Sequence, residues 1–527
     1  MAQSGANDNP AEHMIEGEAA GNGKTRIDRV MFATVATVIV AICAPLGLMP
    51  EASTVFVTKI YGEITQHFGI FYQGCTLAVI VFLAWLALGP YGAIRLGGEH
   101  SRSDYSTFSW AAMLFCAGTG ASLMAWAGVE WINYYNNPPY GAVPRSPEAI
   151  QWATAYGPFH WGVTAWCIYA LPTIAIAYPF YQQKVPHLCA STSCHAILGP
   201  RGNRGLAGRA IDTVAMLALL GGTGTSLSMI VPMIATITAE LFGVPDSFTL
   251  KMGVIAVCVG LFSLSVYLGL EKGIKPLSDF NVASALLLLG YILVIGPTVF
   301  ILKMSMDTIG FMASNFIRMM TWTDPIRNTG FVEAWTIFYW AWWIAYAPVI
   351  GIFVTRISRG RTIRQVILSM ILFGSLGCWI FYFVQGNYAL FLELKQLLPV
   401  SKILAEQGMN VATAKVLLSL PFGPVALAIF ALVAMISVAT TYDSAAYTLA
   451  STATAELKAN TNPARWHRVF WALASGVLPL TMMFLGGMDI IRLGVLVASF
   501  PILFIGIAMA ISLRRSLRES APGQPTS

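Results

Sequence analysis

Long apolar segments alternate with short polar segments along almost the whole chain. A bilayer core about 30 Å thick is crossed by roughly 20 apolar residues in a helix, and only helices or closed barrels satisfy every backbone group there. Because the sequence lacks the strict apolar and polar alternation of barrel strands, helices are the expected structure. The pattern predicts twelve transmembrane helices, at residues 30–49, 69–88, 107–134, 149–182, 208–241, 248–270, 279–302, 335–355, 366–384, 425–448, 466–485 and 490–513.

The remaining segments are polar or amphipathic. Residues 307–320 set phenylalanines against charged residues, which predicts an amphipathic helix on the membrane surface. Residues 1–26 are polar and lack the order of a signal peptide, so we expect a disordered N-terminal tail. Residues 514–527 are expected to form a short C-terminal tail, which leaves 27–513 as one membrane domain.

Composition and charge exclude most alternatives to a membrane protein. Of the 527 residues 56% are hydrophobic and only 11% are charged, whereas a soluble chain of this length needs more surface charge. The net charge of +6 is spread in short clusters, so no nucleic acid is expected as a partner. About two-thirds of the 31 Lys and Arg residues fall on the cytoplasmic side if the N-terminus is cytoplasmic, which places both chain ends in the cytoplasm.

Three predicted spans carry helix-weakening residues near their middle. The third contains Gly118-Thr119-Gly120-Ala121-Ser122, the fifth contains glycines at 221–224, and the eighth contains Pro348 and Gly351. Breaks at this depth are tolerated where the freed backbone lines a cavity, and paired breaks are typical of transporter binding sites. The alternative is that the glycines only allow close packing of helices.

Aromatic residues form two rows inside predicted spans. In the eighth span, Trp335, Tyr339, Trp342 and Tyr346 share one helical face. In the fourth span a second row follows His160, and it consists of Trp161, Trp166 and Tyr169. Interfacial aromatic belts lie at helix ends, whereas these rows run toward the middle of the membrane.

Such rows suit a methylated cation. A trimethylammonium or dimethylsulfonium group offers no hydrogen-bond donor, and the faces of Trp and Tyr rings attract it by about 0.5 to 2 kcal/mol each. Carboxylates are the competing solution, but few lie within the spans: Glu130, Asp279 and Asp443. Glu130 and Asp279 fall near the predicted interfaces, so we expect structural roles for both.

The sequence offers no catalytic motif in a plausible setting. Residues 21–25 read GNGKT, but Glu18 stands where a phosphate-binding loop needs its first glycine, and no strand precedes it. We therefore do not expect an enzyme or an ATP-driven pump, and we expect no cofactor other than a coupling ion.

Three segments resemble one known family. From Trp335 the chain reads WTIFYWAWWIAYAPVIGIFVTRISRGRTIR, which closely resembles the hallmark segment of the betaine/choline/carnitine transporter family. Residues 118–130 and 159–169 resemble other blocks of that family, and the resemblance extends from the first span to the last.

The resemblance implies an all-α polytopic membrane protein with a leucine-transporter-like fold. Two peripheral helices would precede two five-helix inverted repeats at 107–303 and 335–513, with an interfacial helix and loop at 304–334. It further implies a homotrimer in the bacterial inner membrane.

The resemblance also implies a substrate site. The family's aromatic box, carried over by position, comprises Trp161, Trp166, Tyr169, Trp342, Trp343 and Tyr346, and Trp342 would stack on the onium head group. The segment containing Gly118, Gly120, Ala121 and Ser122 would offer backbone N–H groups to the substrate carboxylate.

Sodium coupling is implied in the same way. Sodium-coupled family members bind the ion with a Thr/Ser pair and backbone carbonyls, which here gives Cys116, Thr119, Ser437, Thr440 and Thr441. Membrane Ser and Thr also return hydrogen bonds to their own helix, which is the competing interpretation. Sodium-independent exchangers of the family place an Arg in the seventh span, where this chain has Asn281.

These features together predict Na⁺-coupled symport of a zwitterionic onium solute, of the betaine, carnitine, choline or dimethylsulfoniopropionate type, across the inner membrane. A sodium-independent antiporter of the carnitine type, or a passive channel, is the alternative. The short C-terminal tail leads us to expect no strong activation by hyperosmotic stress.

Overall fold

A computed structural model describes residues 27–118, 120–203, 205–268, 275–455, 463–485 and 488–519. The expected tail at 1–26, the C-terminal residues 520–527 and Thr119 lie outside the described residues. The described part of the chain is helical and contains no β-strand, only two isolated bridges, Ile27 with Thr454 and Arg95 with Thr362. The prediction of an all-α polytopic membrane protein is confirmed.

The described residues of the first half of the chain form twelve α-helices, besides short 3-10 helices at Pro90–Ala93, Pro139–Gly141 and Ala190–Cys194. The α-helices are α1 (Arg29–Leu48), α2 (Pro50–Leu88), α3 (Thr107–Gly118), α4 (Ala121–Ala127), α5 (Trp131–Asn136), α6 (Pro147–Trp161), α7 (Val163–Tyr181), α8 (His195–Gly202), α9 (Leu206–Phe242), α10 (Phe248–Leu268), α11 (Lys275–Ile295) and α12 (Thr298–Thr321).

Within the described part of the second half there are nine α-helices and three π-helical segments. The helices are α13 (Phe338–Ile357), α14 (Ile363–Ser369), α15 (Ser375–Phe381), α16 (Asn387–Leu394), α17 (Val400–Gln407), α18 (Met409–Leu418), α19 (Gly423–Thr452), α20 (Arg465–Leu485) and α21 (Met488–Glu519). The π-helical segments, Val332–Ile337, Met370–Gly374 and Tyr382–Gly386, lead into α13, α15 and α16. Such widened turns occur often at functional sites.

The described residues contain ten helices long and apolar enough to cross a membrane, or eleven if the bent pair of α3 with α4 and α5 is one span. Each predicted span coincides with one or more of the helices. The predicted eleventh span corresponds to α20, a 21-residue helix that is not in that set. A count of twelve spans therefore stays a prediction.

Several predicted boundaries are wrong. The seventh span ends at Ile295 and not at 302, because Pro297, which has no backbone N–H, precedes the start of α12. The amphipathic segment belongs to the 24-residue helix α12 and not to a shorter helix at 307–320. Helix α21 continues past the predicted end of the twelfth span to Glu519, so the first residues of the predicted C-terminal tail are helical.

Of the three predicted breaks, only the one in the third span occurs. Helices α3 and α4 to α5 are bent by 62° around the Gly118–Gly120 region. Helix α9 runs without interruption through residues 221–224, where Gly221 faces Ala498 and Gly222 faces Tyr346. Helix α13 is likewise continuous through Pro348. Close helix packing therefore explains the glycines of the fifth span.

A joint that was not predicted divides the fourth span. Gly162 separates α6 from α7 with φ −97° and ψ −127°, and a Cβ there would collide with the indole of Trp379. Only glycine leaves room for this approach. The joint places Trp161 at the end of one helix and Trp166 near the start of the next.

The family-like segment after α13 holds the N-terminal end of α3. Arg361 donates hydrogen bonds to the backbone carbonyl of Tyr105 (2.8 Å) and to Thr107 Oγ1 (3.0 Å), and its guanidinium lies 4.7 Å from the ring centroid of Trp110. Trp110 Nε1 in turn donates to Ser358 Oγ. Burial and the nearby Arg95 lower the pKa of Arg361 from its usual value.

Candidate substrate and ion sites

Helices α7 and α13 pack along each other more extensively than any other pair of described helices. Their contact surface carries the predicted aromatic rows. Trp161 meets Trp343 edge to face, with ring centroids 4.7 Å apart and planes at 69°. Tyr169 meets Trp343 at 6.1 Å and Trp166 at 5.4 Å, again edge to face. These four rings form the aromatic cluster.

The aromatic cluster is enclosed by protein. Exposed fractions are 5% for Trp161, 1% for Trp166, 7% for Tyr169 and 5% for Trp343. The rings thus face neither lipid nor the membrane interface, which distinguishes them from an aromatic belt. They are in direct contact with one another, so a methylated head group between them requires the rings to separate.

Trp343, and not Trp342, contacts rings on both sides of the Gly162 joint. Trp343 touches Trp161 and Tyr169, whereas Trp342 meets Trp161 edge to face at 5.9 Å, stacks on Trp343 at 5.4 Å with the planes 6° apart and packs against Phe338. The family resemblance implied that Trp342 takes the head group, and this assignment stays a prediction. The contacts of Trp343 make it a second candidate for the same role.

Tyr346 lies apart from the aromatic cluster. Its hydroxyl group is 3.2 Å from Ser226 Oγ on α9, and its ring packs on the bare backbone of Gly222. Tyr346 therefore joins α13 to α9. Its position near Tyr169 keeps it at the margin of the predicted site.

Glycines allow Trp166 to pack against the broken third span. A Cβ at Gly374 would overlap the indole of Trp166, and a Cβ at Gly118 would lie 2.6 Å from the carbonyl oxygen of Gly374. The carbonyl oxygen of Gly118 accepts a hydrogen bond of 3.2 Å from Cys378 Sγ. The ninth span thus supports both the break and the aromatic cluster.

The break itself leaves helix α4 without a side-chain cap. Gly120 precedes the helix in an extended conformation, Ala121 is its first residue, and Ser122 is buried. First-turn N–H groups of a helix have no partner within the helix and carry partial positive charge. These backbone groups belong to the same span as Gly118, which touches Trp166.

The predicted sodium ligands on α19 are bonded to their own helix. Thr441 Oγ1 donates to the carbonyl of Ser437 at 2.8 Å, and Thr440 Oγ1 approaches the same carbonyl at 3.1 Å. Cys116 lies in the last turn of α3. Helix α4 packs against α19, so the break and the two threonines belong to neighbouring elements.

Asn281 reaches the same region from α11. Its Nδ2 donates a hydrogen bond of 2.8 Å to Ser437 Oγ, and both side chains are buried. A neutral amide therefore lies beside the predicted ion ligands.

The acidic residues differ more than the sequence indicated. Asp279 is exposed, but Glu130 is completely buried and accepts hydrogen bonds from the hydroxyl groups of Tyr134 and Tyr382. Asp443 is also completely buried. The sequence did not predict that Glu130 is enclosed by protein while Asp279 is exposed.

Sequence reasoning missed the contribution of the ninth span. Tyr382 bonds Glu130, and Trp379 Nε1 donates to the carbonyl of Pro158 at 2.8 Å. No regular aromatic spacing singled out these residues. The only signal was the density of glycine and aromatic residues between 374 and 386.

Comparisons with known proteins identify the family. The family described as BCCT, betaine/carnitine/choline family transporter, matches residues 30–522. The uncharacterized transporter YeaV of Escherichia coli (strain K12) is 36% identical over 444 residues, which cover 84% of this chain and 92% of YeaV. The carnitine transporter of Acinetobacter baumannii is 35% identical over 448 residues, which cover 85% of this chain and 81% of that protein. The chain belongs to the betaine/carnitine/choline transporter family and is a multi-pass membrane transporter, not an enzyme.

Proposed function

We propose that the protein imports a zwitterionic onium solute by symport with Na⁺, as a secondary active transporter. The observation that carries this proposal is the enclosed aromatic cluster, in which Trp161 and Tyr169 meet Trp343 edge to face. Ring faces hold a quaternary ammonium group without hydrogen bonds. The name of the Acinetobacter baumannii relative makes carnitine the first solute to test.

The Gly162 joint is the place where the aromatic cluster opens. Trp343 lies in a continuous helix, whereas Trp161 is the last residue of α6, next to a backbone that is not helical. Rotation about the joint moves Trp161 away from Trp343 and leaves Tyr169 in place on α7. The head group enters between the separated rings and is enclosed when they return.

The carboxylate end of the solute binds at the broken third span. The first-turn N–H groups of α4 attract a negative charge, and no arginine is needed for this. Gly118 touches Trp166, so a solute of a few carbon atoms spans from the rings to the break. Spacer length, and with it the choice between betaine and carnitine, is set by this separation.

Sodium supplies the driving force. A zwitterion carries no net charge, so the membrane potential does not concentrate it, whereas each Na⁺ contributes about 2.3 kcal/mol per 100 mV. The ion binds between the break and α19, with Thr440 and Thr441 turning their hydroxyl oxygens from the Ser437 carbonyl toward it. Hydroxyl and carbonyl oxygens are suitable ligands for this hard cation.

The neutral side chain of Asn281 favours symport over exchange. An exchanger without an ion needs a fixed positive charge at this place, and the sequence has no Arg or Lys between Lys275 and Lys303. The hydrogen bond from Asn281 to Ser437 holds the amide beside the ion ligands. Because the Asn281 amide is neutral, the positive charge at this place is supplied by a Na⁺ ion from solution.

The solute is released on the side of the molecule where α9, α13 and α19 meet. A small apolar cavity of about 10 Å³ lies there between α9, α13 and α19, lined by residues that include Met216, Pro348 and Leu449. By the distribution of Lys and Arg this side faces the cytoplasm. Separation of these helices connects the aromatic cluster to the cell interior.

Uptake of labelled carnitine into proteoliposomes tests the proposal. With an inward Na⁺ gradient and no internal solute, the protein should accumulate carnitine above the outside concentration, and replacement of Na⁺ by K⁺ should abolish accumulation. Equilibration without accumulation would show a channel. A need for internal carnitine would show an antiporter.

Competition identifies the preferred solute. Unlabelled betaine, choline and dimethylsulfoniopropionate are added to the same assay, and the strongest competitor defines the head group and spacer. Trp343→Ala serves as the inactive control. Its failure to bind any of these compounds is expected if the rings hold the head group.

A further inference from the structure

Glu130 lies beside the aromatic cluster but has no part in the function proposed above. Its side chain is completely buried within a predicted membrane span. The hydroxyl groups of Tyr134 and Tyr382 donate hydrogen bonds to its two carboxyl oxygens. The ring of Trp161 contacts the rings of Tyr339 and Tyr382. Among the described residues no Lys or Arg forms an ion pair with it.

The groups around Glu130 come from four different spans. Tyr134 is on α5, Tyr382 is in the π-helical segment before α16, and Tyr339 is on α13. His160, on α6, is linked to Glu130 through Tyr134: the Tyr134 hydroxyl lies 3.3 Å from His160 Nδ1. The other ring nitrogen, His160 Nε2, lies 3.2 Å from Thr336 Oγ1. A fifth element, α21, contributes Arg492, which acts on Tyr339 and lies over the ring of Trp335, 5.1 Å from its centroid.

Such a carboxyl group is costly to bury as an anion. Tyrosine hydroxyls stabilise a carboxylate, but they carry no charge to balance it, and a single charge inside the membrane costs several kcal/mol. A proton removes that cost. When the surrounding helices separate and water reaches the carboxyl group, the anion becomes stable again.

We propose that Glu130 is a proton-binding site of the transport cycle, protonated when the helices close over the aromatic cluster and ionised when they open toward the 137–146 loop. The proton comes from water on that side and returns to it, and no other group changes charge. The link to transport rests on the proposed function, because Trp161 belongs to the aromatic cluster and its ring contacts Tyr382, which donates a hydrogen bond to Glu130.

The consequence is a defined dependence on pH. At low pH the protonated carboxyl group permits closure, so uptake is fast. At pH values above the midpoint of the Glu130 titration, closure of the helices limits the rate of uptake. Uptake then falls by about tenfold per pH unit, as expected for one proton. Glu130→Gln, which is neutral at every pH, should keep its uptake constant over the range in which the wild type declines.

Two variants make this test specific. Glu148→Gln makes the same chemical change at an exposed glutamate on α6 and should keep the wild-type pH profile. Tyr382→Phe removes one donor to the carboxylate and should move the midpoint to higher pH. The full-length chain in proteoliposomes is assayed with labelled carnitine, with the same pH on both sides and a constant Na⁺ gradient.

A second measurement needs no substrate. Infrared difference spectra of the purified protein, between low and high pH, should contain the carbonyl band of a protonated carboxyl group that Glu130→Gln removes and Glu148→Gln does not. If this band is lost in Glu130→Gln but carnitine is not transported, the proton site stands and the proposed substrate is wrong. A decline of Glu130→Gln uptake with pH like that of the wild type, or an unchanged band, would overturn the proposal.

Discussion

Trp343 Nε1 donates a hydrogen bond of 2.8 Å to the backbone carbonyl of His160. The bond joins the middle of α13 to the last turn of α6, two residues before the Gly162 joint. It fixes the indole of Trp343 in the aromatic cluster, whereas Trp342 Nε1 has no hydrogen-bond partner among the described atoms. Two adjacent tryptophans in one helix are therefore expected to differ in function.

Trp343→Phe should weaken carnitine binding more than Trp342→Phe does. The substitution keeps a ring but loses the stronger cation–π partner and the bond to His160, and a single ring is worth about 0.5 to 2 kcal/mol, or roughly 2- to 30-fold in affinity. Equilibrium binding of labelled carnitine to the purified variants measures the difference. A larger loss in Trp342→Phe would assign the head group to the residue that the family resemblance implied.

Thr440→Ala combined with Thr441→Ala should raise the Na⁺ concentration needed for half-maximal uptake. Both hydroxyl groups lie beside the Ser437 carbonyl, and their loss removes two oxygen ligands from the proposed ion site. Ser444→Ala removes an exposed hydroxyl group one turn further along α19 and is the matched control. An unchanged Na⁺ curve in the double variant would place the ion elsewhere.

Asn281→Arg should reduce the requirement for Na⁺. A guanidinium group beside Ser437 supplies a fixed positive charge where the ion is proposed to bind, so uptake driven by Na⁺ should fall while exchange of internal for external carnitine persists. Asn281→Ala separates loss of the amide from gain of the charge. Full Na⁺ dependence in the Arg variant would argue against this location.

Gly374→Ala should destabilise the protein and weaken binding together. The added methyl group overlaps the Trp166 indole, and overpacking of a buried site costs about 1 to 3 kcal/mol. Gly290→Ala, on α11, adds the same group where nothing lies within 4 Å and is the control. Thermal unfolding in detergent and carnitine binding are measured on both variants. Wild-type stability in Gly374→Ala would show that the indole moves aside freely.

Hydropathy predicted the helical class and the position of each apolar segment, because the bilayer imposes both length and composition. Hydropathy did not predict which glycine-rich segments interrupt a helix, because this depends on local packing. The third span is bent at its glycines, whereas glycine in the fifth span packs against Tyr346, although both runs are rich in glycine. The two runs differ in the residues that pack against them, and these residues are distant in the sequence.

In the candidate site, too, residue types could be predicted from the sequence, but contacts between helices could not. The aromatic row of the fourth span indicated Trp161, Trp166 and Tyr169, and the family resemblance added Trp342, Trp343 and Tyr346. The hydrogen bond from Trp343 to His160 joins two helices and has no local sequence signal. Glu130 was assigned to an interface because it lies near the end of its span. Burial by α5 and Tyr382 depends on contacts across the fold, and these have no local signal.

Arg361, which follows α13, holds the start of α3 by hydrogen bonds, and the other end of that helix is the bend near Gly118. The start of the bent span is thus fixed by polar contacts at the membrane surface, far along the helix from the bend. Arg361 then limits the movement of the third span during transport, and it lies outside the proposed substrate site. Changes at Arg361 are accordingly expected to alter turnover for every solute alike and to leave the order of preference among solutes untouched.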